Sequence, residues 1–292
     1  MYKLCKTTKG EFTTQLRMYN AHIFKEWINV NQCKAWAWLD ADTVLGDIDR
    51  FIDNNELFWN AHVSTISQGD NDRIYTRGQF TAHHQFRDPN VNSLWKYCNV
   101  TSSVSNIISV IQQDKFLTYD EGCYASGIVN QPQISLSIQS GQSDSISNDD
   151  PILWMDGRLF QFRKGYTYLL SHFDSWKDQG WPRVDSTHPV LSTLNLSSSG
   201  CSGWIDPIYQ VCHKSLLDNI ALLIKNGTVF GFPKPHEEDP WIREIALFHL
   251  RFWRYPFKDN IMGDFSRPIL LITKDGYESF TSLKDLDSSS FL

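Results

Sequence analysis

Long hydrophobic runs and basic clusters are both missing from this 292-residue sequence. No run of about 18 apolar residues occurs, so we expect no transmembrane helix. No cluster of several consecutive basic residues occurs either, and the formal net charge is −6. Because nucleic-acid binding needs a basic face for the phosphates, this balance argues against a nucleic-acid partner.

Several motifs of well-known sites are also absent. The 6 cysteines include no Cys-x-x-Cys, which argues against a zinc knuckle, although Cys201 and Cys212 could close a loop as a disulfide. No Gly-x-Ser-x-Gly, His-Glu-x-x-His or glycine-rich phosphate loop occurs, so the usual hydrolase and nucleotide-loop classes are disfavoured. Aromatic residues, in contrast, are plentiful at 14%. They suit a protein core or the apolar faces of sugars and bases.

Two aspartates follow a short tryptophan-rich run. Residues 34–39 predict a buried strand, and Asp40 and Asp42 come directly after it. Residues i and i+2 of an extended segment point the same way, so the two carboxylates could converge beyond the strand end. Two such hard ligands suit Mg²⁺ or Mn²⁺. Alternatively, one aspartate caps the next helix and the other is a solvated turn residue.

The pattern of elements favours an α/β protein. Helical periodicity covers residues 11–30, and a short helix is expected over 47–52 with Asp47 as its N-cap. A strand is expected over 79–84 and a helix over 91–97. Three dipeptides predict two-residue hairpin turns in the second half: Asp156-Gly157, Asn226-Gly227 and Asp275-Gly276. The polar segment 131–150 predicts a mobile loop or insertion, and residues 285–292 a frayed tail.

Two further sites have side chains suited to catalysis. The adjacent acids Asp120 and Glu121 could supply a general base, or they could complement the dipole at a helix N-terminus. His249 could be a third metal ligand, or a buried histidine hydrogen-bonded within the core. Its surroundings fit a strand with Phe248 and Leu250 in the core, and they also fit a helix. Both interpretations remain open at this point.

Arg77, Gln79 and Thr81 alternate along a predicted strand and could line an acceptor pocket, or simply form the polar side of a half-exposed strand. A different enzyme class also fits one motif. The run from Leu39 to Leu45 resembles the first motif of haloacid-dehalogenase-type phosphatases, with Asp40 as nucleophile and Asp42 as acid/base. A late acidic motif would begin at Asp264, but its second acid is absent, because that position is Pro268.

Taken in order, these features resemble a family of small GT-A-type glycosyltransferases of bacteria and fungi. The matching pieces are Tyr2-Lys-Leu-Cys5, Trp38-Leu-Asp-Ala-Asp42, Arg77-Gly-Gln-Phe-Thr81, Asp120-Glu121, Trp154-Met-Asp-Gly-Arg-Leu159 and Phe248-His-Leu250. The resemblance implies one α/β domain over residues 1–292, with a mixed sheet flanked by helices and antiparallel hairpins added in the second half. It also implies metal-dependent transfer of a sugar from a nucleotide-sugar donor to a glycan or other hydroxyl acceptor.

The resemblance assigns roles to particular residues. Asp40, Asp42 and His249 would hold Mn²⁺ or Mg²⁺, with Trp38 beside them in the cofactor site. Asp120 or Glu121 would be the catalytic base, and Arg77, Gln79 and Thr81 would bind substrate. The nucleotide-binding βαβ unit that opens GT-A folds would precede Tyr2, so we expect this chain to lack it. A catalytically degenerate, glycan-binding member is therefore the non-enzyme alternative. Sequons at Asn99, Asn195 and Asn226 favour the secretory pathway, such as the Golgi lumen.

Overall fold

The structure is a computed structural model that describes only part of the chain. The described residues are 16–28, 33–53, 55–68, 73–98, 105, 109, 121–144, 150–162, 189–193, 196–199, 208–211, 219–233, 242–250, 269–273 and 276–287. Several predictions fall outside these ranges, namely those for Asp120, Cys201, Cys212, Asn99, Asn195, Asp264 and Asp275.

The chain divides into two compact units. Unit 1 comprises Met1–Leu39, Glu56–Ser140 and Asp185–Pro233. Unit 2 comprises Asp40–Asn55, Gly141–Val184 and Lys234–Leu292. Each unit takes three separate stretches of chain, so no single boundary divides the sequence. That interleaving is why no shift in composition marked the division.

Strands dominate the described residues. In chain order they are β1 (Trp36–Leu39), β2 (Thr43–Leu45), β3 (Val63–Ser67), β4 (Arg73–Ile74), β5 (Phe80–His83), β6 (Leu136–Ser140), β7 (Gln142–Asp144), β8 (Ile152–Met155), β9 (Arg158–Phe162), β10 (Val190–Thr193), β11 (Leu196–Ser199), β12 (Ile208–Val211), β13 (Asn219–Lys225), β14 (Thr228–Pro233), β15 (Ile242–Ile245), β16 (Leu247–His249), β17 (Ile269–Thr273) and β18 (Gly276–Phe280). The α-helices are Asn20–Ile23, Ile48–Ile52, Glu56–Asn60, Gly122–Val129 and Leu283–Asp287, and the 3-10 helices are Arg17–Tyr19 and Pro89–Tyr97. The protein is thus mixed α/β, with few helices and several antiparallel hairpins. None of the described helices is long and apolar enough to cross a membrane.

Unit 1 is built on a seven-stranded sheet in the order β1-β5-β3-β6-β13-β14-β10. Neighbouring strands are antiparallel except β3 and β6, which are parallel. A smaller sheet has the order β11-β12-β4. Strand β1 lies at the edge of the large sheet, and its burial alternates, with Trp36 and Trp38 inside and Ala37 and Leu39 exposed. The prediction of a strand is confirmed, but only alternate residues of it are buried.

Unit 2 has two sheets. The larger is wholly antiparallel, in the order β15-β9-β8-β17-β18. The smaller has the order β2-β16-β7, with β16 antiparallel to β2 and parallel to β7. The helix Ile48–Ile52 follows β2, and the Asp47 side chain accepts a hydrogen bond from the Arg50 N–H at 3.3 Å. This confirms both the predicted helix and its cap.

The predicted hairpins are present wherever the structure describes them. Asp156 and Gly157 join β8 to β9 with φ of 51° and 77°, and Asn226 and Gly227 join β13 to β14 with φ of 51° and 70°. Left-handed backbone is accessible to Asn, Asp and Gly, which is why these dipeptides predicted the turns correctly. Strands β17 and β18 are also paired as predicted.

Two predicted segments were wrong in extent. Within 11–30, only Arg17–Tyr19 and Asn20–Ile23 are helical in the described part, and the buried stripe is short, because Met18 and Tyr19 are buried but Trp27 is 81% exposed. The predicted helix over 91–97 is confirmed, and it is a 3-10 helix. Towards the C-terminus, Leu283–Asp287 is helical and Leu286 is buried, so the frayed tail does not begin at residue 285.

The segment 131–150 was predicted as a mobile loop, and that was wrong for residues 136–144. Strand β6 is fully buried and lies between β3 and β13 inside the seven-stranded sheet. One hydrogen bond between polar side chains there runs from the Gln139 amide, which donates to the Ser137 hydroxyl at 3.2 Å. Ser and Gln normally indicate exposed chain, and here the sheet covers them instead.

Candidate functional site

Asp40, Asp42 and His249 come together in unit 2. One ligand atom from each residue lies within 4.8 Å of the others. The His249 Nε2 atom is 3.3 Å from an Asp42 carboxylate oxygen. The imidazole is buried, whereas both carboxylates are half-buried. The structure therefore assembles a mixed carboxylate and imidazole cluster from opposite ends of the sequence.

Pairing between β2 and β16 positions this cluster. Thr43 lies opposite His249 in the antiparallel register. Beyond the strand end, the Leu250 N–H donates to the Asp42 carbonyl oxygen at 2.8 Å. His249 thus lies on a strand, as one of the two sequence interpretations required, while Phe248 packs in the apolar core of unit 2. The backbone around Asp42 is fixed directly to the strand that carries His249.

Gly46 lets the chain after β2 approach β15 and β16 closely. Its N–H donates to the Ala246 carbonyl oxygen at 2.8 Å. A Cβ atom at Gly46 would lie 2.9 Å from the Ile245 carbonyl oxygen and 3.1 Å from the Leu159 amide nitrogen. Backbone atoms cannot move aside as a flexible side chain can. The register that sets Thr43 against His249 therefore depends on glycine here.

The cluster fits a divalent cation in both span and chemistry. Mg²⁺ and ions of similar size bind ligands at about 2.1 Å, so two ligands on opposite sides are about 4.2 Å apart. Carboxylate oxygens suit Mg²⁺ and Mn²⁺, and an imidazole nitrogen is compatible with Mn²⁺. The competing interpretation gave one aspartate the role of helix cap, but Asp47 caps the helix Ile48–Ile52. That metal is bound here stays a prediction.

The predicted substrate-binding segment lies in unit 1, where its backbone is hydrogen-bonded to the Trp38 side chain. The Trp38 indole N–H donates to the Arg77 carbonyl oxygen at 2.9 Å, and the Thr81 hydroxyl donates to the same oxygen at 2.8 Å. The Arg77 N–H donates in turn to the Thr65 hydroxyl at 2.8 Å. Trp38, Arg77 and Thr81 are thus brought together, with Trp38 and Thr81 holding the backbone of Arg77.

Arg77 and its neighbours are buried, so the idea of a half-exposed strand is wrong. Every residue of β5 is buried, and Arg77 and Gln79 before it are each only 8% exposed. The Arg77 guanidinium lies over the Tyr75 ring at 4.2 Å from the ring centroid. A buried guanidinium stacked on an aromatic ring has little freedom to reorient.

Glu121 contacts the same segment within unit 1. It directly precedes the helix Gly122–Val129, but its side chain makes no hydrogen bond to that helix. Instead, the Gly78 N–H donates to its Oε1 atom at 3.2 Å, and the Thr76 N–H donates to its carbonyl oxygen at 3.3 Å. The Arg17 guanidinium donates to the Gly78 carbonyl oxygen. The structure therefore places Glu121 beside the Arg77–Gln79 segment.

Two neighbouring histidines of unit 1 are buried and neutral. The His83 Nε2 atom is 2.6 Å from the Tyr124 hydroxyl, and the His84 Nε2 atom is 3.2 Å from the Ser64 hydroxyl. Burial lowers the pKa of His83 well below 6.5 and lowers the pKa of His84 to about 4, the latter with help from the charge on Arg87. Burial likewise raises the pKa of Tyr124 above its usual value of 10.0. These groups keep their neutral forms near pH 7.

Sequence reasoning missed two features. Cys98 and Cys123 form a disulfide, although their separation of 25 residues carried no recognisable motif. Gln142 lies on β7, beside the strand of His249, and is completely buried. It was missed because its segment was taken as a surface loop. A buried glutamine inside a polar stretch gives no periodic signal in the sequence.

Comparisons of the chain with protein-family models, with curated proteins and with solved structures found no match.

Proposed function

We propose that this chain is a metal-dependent glycosyltransferase of the GT-A type. It transfers a sugar from a nucleotide-sugar donor to a glycan or other hydroxyl acceptor. The observation that carries the proposal is the convergence of Asp40, Asp42 and His249 within unit 2. The resemblance in motif order supports it, because the same three residues are the ones that match the family's metal ligands. The mixed α/β architecture is compatible with such a fold.

In this proposal the three side chains hold Mn²⁺ or Mg²⁺. Asp40 and Asp42 supply negatively charged oxygens, and His249 supplies its Nε2 atom, the one that faces Asp42. When bound, a divalent cation there supplies positive charge against the leaving diphosphate. The chain's own contribution is a fixed set of ligands, because β2 and β16 are paired beside them. Such preorganisation lowers the cost of binding.

Unit 1 carries the residues proposed for substrate. Arg77 and Gln79 are the substrate-binding candidates, and Trp38 and Thr81 act by holding the Arg77 backbone. Asp120 or Glu121 is the proposed base that accepts the proton of the acceptor hydroxyl. Support for Glu121 is its contact with the Gly78 N–H next to Arg77.

A secretory compartment such as the Golgi lumen suits this proposal. The disulfide between Cys98 and Cys123 is of a kind that persists in oxidising compartments and is rare in the cytosol. Asn226, the acceptor of one sequon, lies exposed in the turn between β13 and β14, where a glycan has room.

The phosphatase alternative has less support. Its nucleophile and acid/base would be Asp40 and Asp42, and its late acid, Asp264, lies outside the described residues. The cluster that the structure does describe includes His249, which the transferase hypothesis requires and the phosphatase hypothesis does not use. The transferase is therefore the function that the geometry supports best.

Mn²⁺ titration tests the metal site directly. We expect Mn²⁺ to raise the Tm of the wild-type chain, and binding at a hundredfold excess over Kd adds about 2.7 kcal/mol of stability. Asp42→Asn and His249→Gln should each lose most of this shift, because each removes one ligand. Asp53→Asn is the matched control, since Asp53 is an exposed acid of the same unit. Differential scanning fluorimetry measures the shifts.

Activity separates the remaining alternatives. A panel of nucleotide sugars with Mn²⁺ should show release of nucleoside diphosphate by the wild type and not by Asp42→Asn. Hydrolysis of a generic phosphate ester, lost in Asp40→Asn, would instead establish the phosphatase. Glycan binding with neither a Mn²⁺ shift nor turnover would establish the degenerate member. A Mn²⁺ shift that survives in both ligand variants contradicts the proposed metal site.

A further inference from the structure

The small sheet β2-β16-β7 in unit 2 has two chemically different faces. Alternation along β16 places Phe248 on one face and His249 on the other. The Phe248 face is apolar, because Phe248 and Val44 contact the hydrophobic core of this unit. The register gives the His249 face Thr43 from β2 and Gln142 from β7. Polar side chains of both outer strands thus share the face of a candidate metal ligand.

Gln142 is unusual among these residues. Its side chain is completely buried, yet neither its amide oxygen nor its amide nitrogen has a hydrogen-bond partner in the described part of the chain. The Thr43 hydroxyl is likewise buried without a partner there. Buried polar groups are normally hydrogen-bonded, since losing contact with water is costly. Both groups lie on the face that carries His249, so a polar ligand bound on that face would satisfy them.

The position of Gln142 is fixed by backbone contacts. The Gly141 carbonyl oxygen accepts from the Ala246 N–H at 2.7 Å and from the Leu247 N–H at 3.3 Å. Gln142 then lies beside Leu247, two residues before His249 on the same strand. Neighbours at such diagonal positions are within about 8 Å and in reach of a long side chain. Gln142 is therefore a diagonal neighbour of His249 on the shared face.

We propose that Gln142 and Thr43 form a hydrogen-bonding subsite for the phosphate oxygens of the anion that the metal cluster holds. This rests on the proposed function, which it deepens. The Gln142 NH₂ group and the Thr43 hydroxyl are neutral donors, and phosphate oxygens are strong acceptors. Asp40, Asp42 and His249 would hold a cation that supplies positive charge against the diphosphate, and the two neutral donors would fix the orientation of the diphosphate on this face.

The test measures binding of inorganic pyrophosphate and of uridine diphosphate, each with saturating Mn²⁺, by isothermal titration calorimetry. Gln142→Leu keeps the size of the side chain and removes both polar atoms. We expect affinity for both anions to fall about tenfold, as for loss of a hydrogen bond to a charged group. The Kd of Mn²⁺ alone should stay within about twofold. Thr43→Val should weaken both anions in the same direction.

Ser143→Ala is the matched control. Ser143 is the next residue of β7, is also buried without a partner in the described structure, and lies on the Phe248 face. Its loss should leave anion affinity unchanged. The Tm of Gln142→Leu also distinguishes a role in anion binding from a merely structural role. Removing unpartnered polar atoms should leave the Tm of metal-free Gln142→Leu unchanged or raised, while its anion affinity falls.

The outcomes separate this inference from the proposed function. If the wild type binds Mn²⁺ and both anions, and Gln142→Leu binds the anions equally well, the subsite is wrong and the metal site stands. If Gln142→Leu weakens uridine diphosphate but not pyrophosphate, Gln142 does not contact phosphate, and the subsite is again wrong. If the wild type binds Mn²⁺ but neither anion, the proposed function fails and the subsite fails with it.

Discussion

His83 is enclosed by aromatic rings. The Trp36 ring stacks on it with centroids 4.0 Å apart and planes inclined by 4°, and the Trp38 ring lies at 4.8 Å. The Nε2 atom of His83 is hydrogen-bonded to the Tyr124 hydroxyl. His84 is similarly placed, with the Phe58 ring edge-on at 5.0 Å. Among the described residues neither imidazole has a carboxylate beside it to stabilise a charge, so we assign both histidines to the core rather than to an acceptor pocket.

These histidines make stability depend on pH. The unfolded chain binds a proton at each histidine below pH 6.5, whereas folded His84 does so only near its pKa of about 4. Below pH 6.5 the unfolded state therefore holds more protons, and the free energy of unfolding falls as the pH drops towards 4. Each histidine contributes up to about 1.4 kcal/mol per pH unit in this window. Urea denaturation at several pH values measures the slope.

His84→Gln isolates the contribution of one ring. Its neutral amide can replace the Nε2 atom that faces the Ser64 hydroxyl. The dependence of unfolding free energy on pH should become shallower between pH 6.5 and 4. His22→Gln is the matched control, because His22 is an exposed histidine outside this core. Equal slopes for wild type and His84→Gln would show that His84 does not resist protonation in the folded state.

The candidate ligands were recognisable from sequence because they combine specific residue types with specific spacing. Asp40 and Asp42 follow a strand and are two residues apart. The alternation of side chains along a strand predicted that His249 and Phe248 would lie on opposite faces. Gln142 could not be found this way. A glutamine is typical of exposed chain, and its burial results from strand pairing with β16, distant in sequence. Local patterns do not report such long-range pairing.

At the scale of elements, a disulfide joins two helical segments of unit 1. Cys98 immediately follows the 3-10 helix Pro89–Tyr97, and Cys123 lies in the first turn of the helix Gly122–Val129. The segments also touch directly, since a Cβ on Gly127 would lie 3.0 Å from the Tyr97 Cβ. The disulfide at Cys123 therefore reinforces the packing of the two segments, which also contact each other further along the same helix, at Gly127.

Loss of this disulfide should destabilise unit 1. The cross-link spans 25 residues, for which chain entropy alone predicts about 3.5 kcal/mol. Cys98→Ala/Cys123→Ala should lower the unfolding free energy by about that amount in urea. Reductant should destabilise the wild type similarly and leave the double variant unaffected. Peptide mapping without reductant checks the linkage itself, and recovery of both cysteines as free thiols would contradict it.

Elements were predictable where short-range chemistry decides them. The turns at Asp156-Gly157 and Asn226-Gly227 and the cap at Asp47 each depend on one or two residues. Residues 11–30 show the opposite case. Their helical periodicity was real, but an amphipathic helix is stabilised mainly by packing of its apolar face. Met18 and Tyr19 do pack into the core of unit 1, but Ile23 is 53% exposed and Trp27 is 81% exposed, so the buried face is short and the described helices there are single turns.

At the scale of the whole molecule, the candidate metal ligands and the other features described above lie in different units, and each unit is built from separate segments of the chain. The chain passes from unit 1 to unit 2 between Leu39 and Asp40, directly after the tryptophan-rich strand. All three candidate metal ligands belong to unit 2. The disulfide, the buried histidines and the Arg77 segment belong to unit 1. Metal and reductant should therefore act first on different parts of the chain.

Hydrogen–deuterium exchange resolves these two effects. Mn²⁺ should slow exchange most in peptides covering residues 40–55 and 242–250, because ordering the ligands stabilises the pairing of β2 with β16. Reductant should speed exchange most in the helix Gly122–Val129. Asp42→Asn should abolish the Mn²⁺ effect and keep the reductant effect, since it leaves unit 1 intact. Protection by Mn²⁺ that is greatest in unit 1 would mean that the ion binds elsewhere and that the cluster does not hold it.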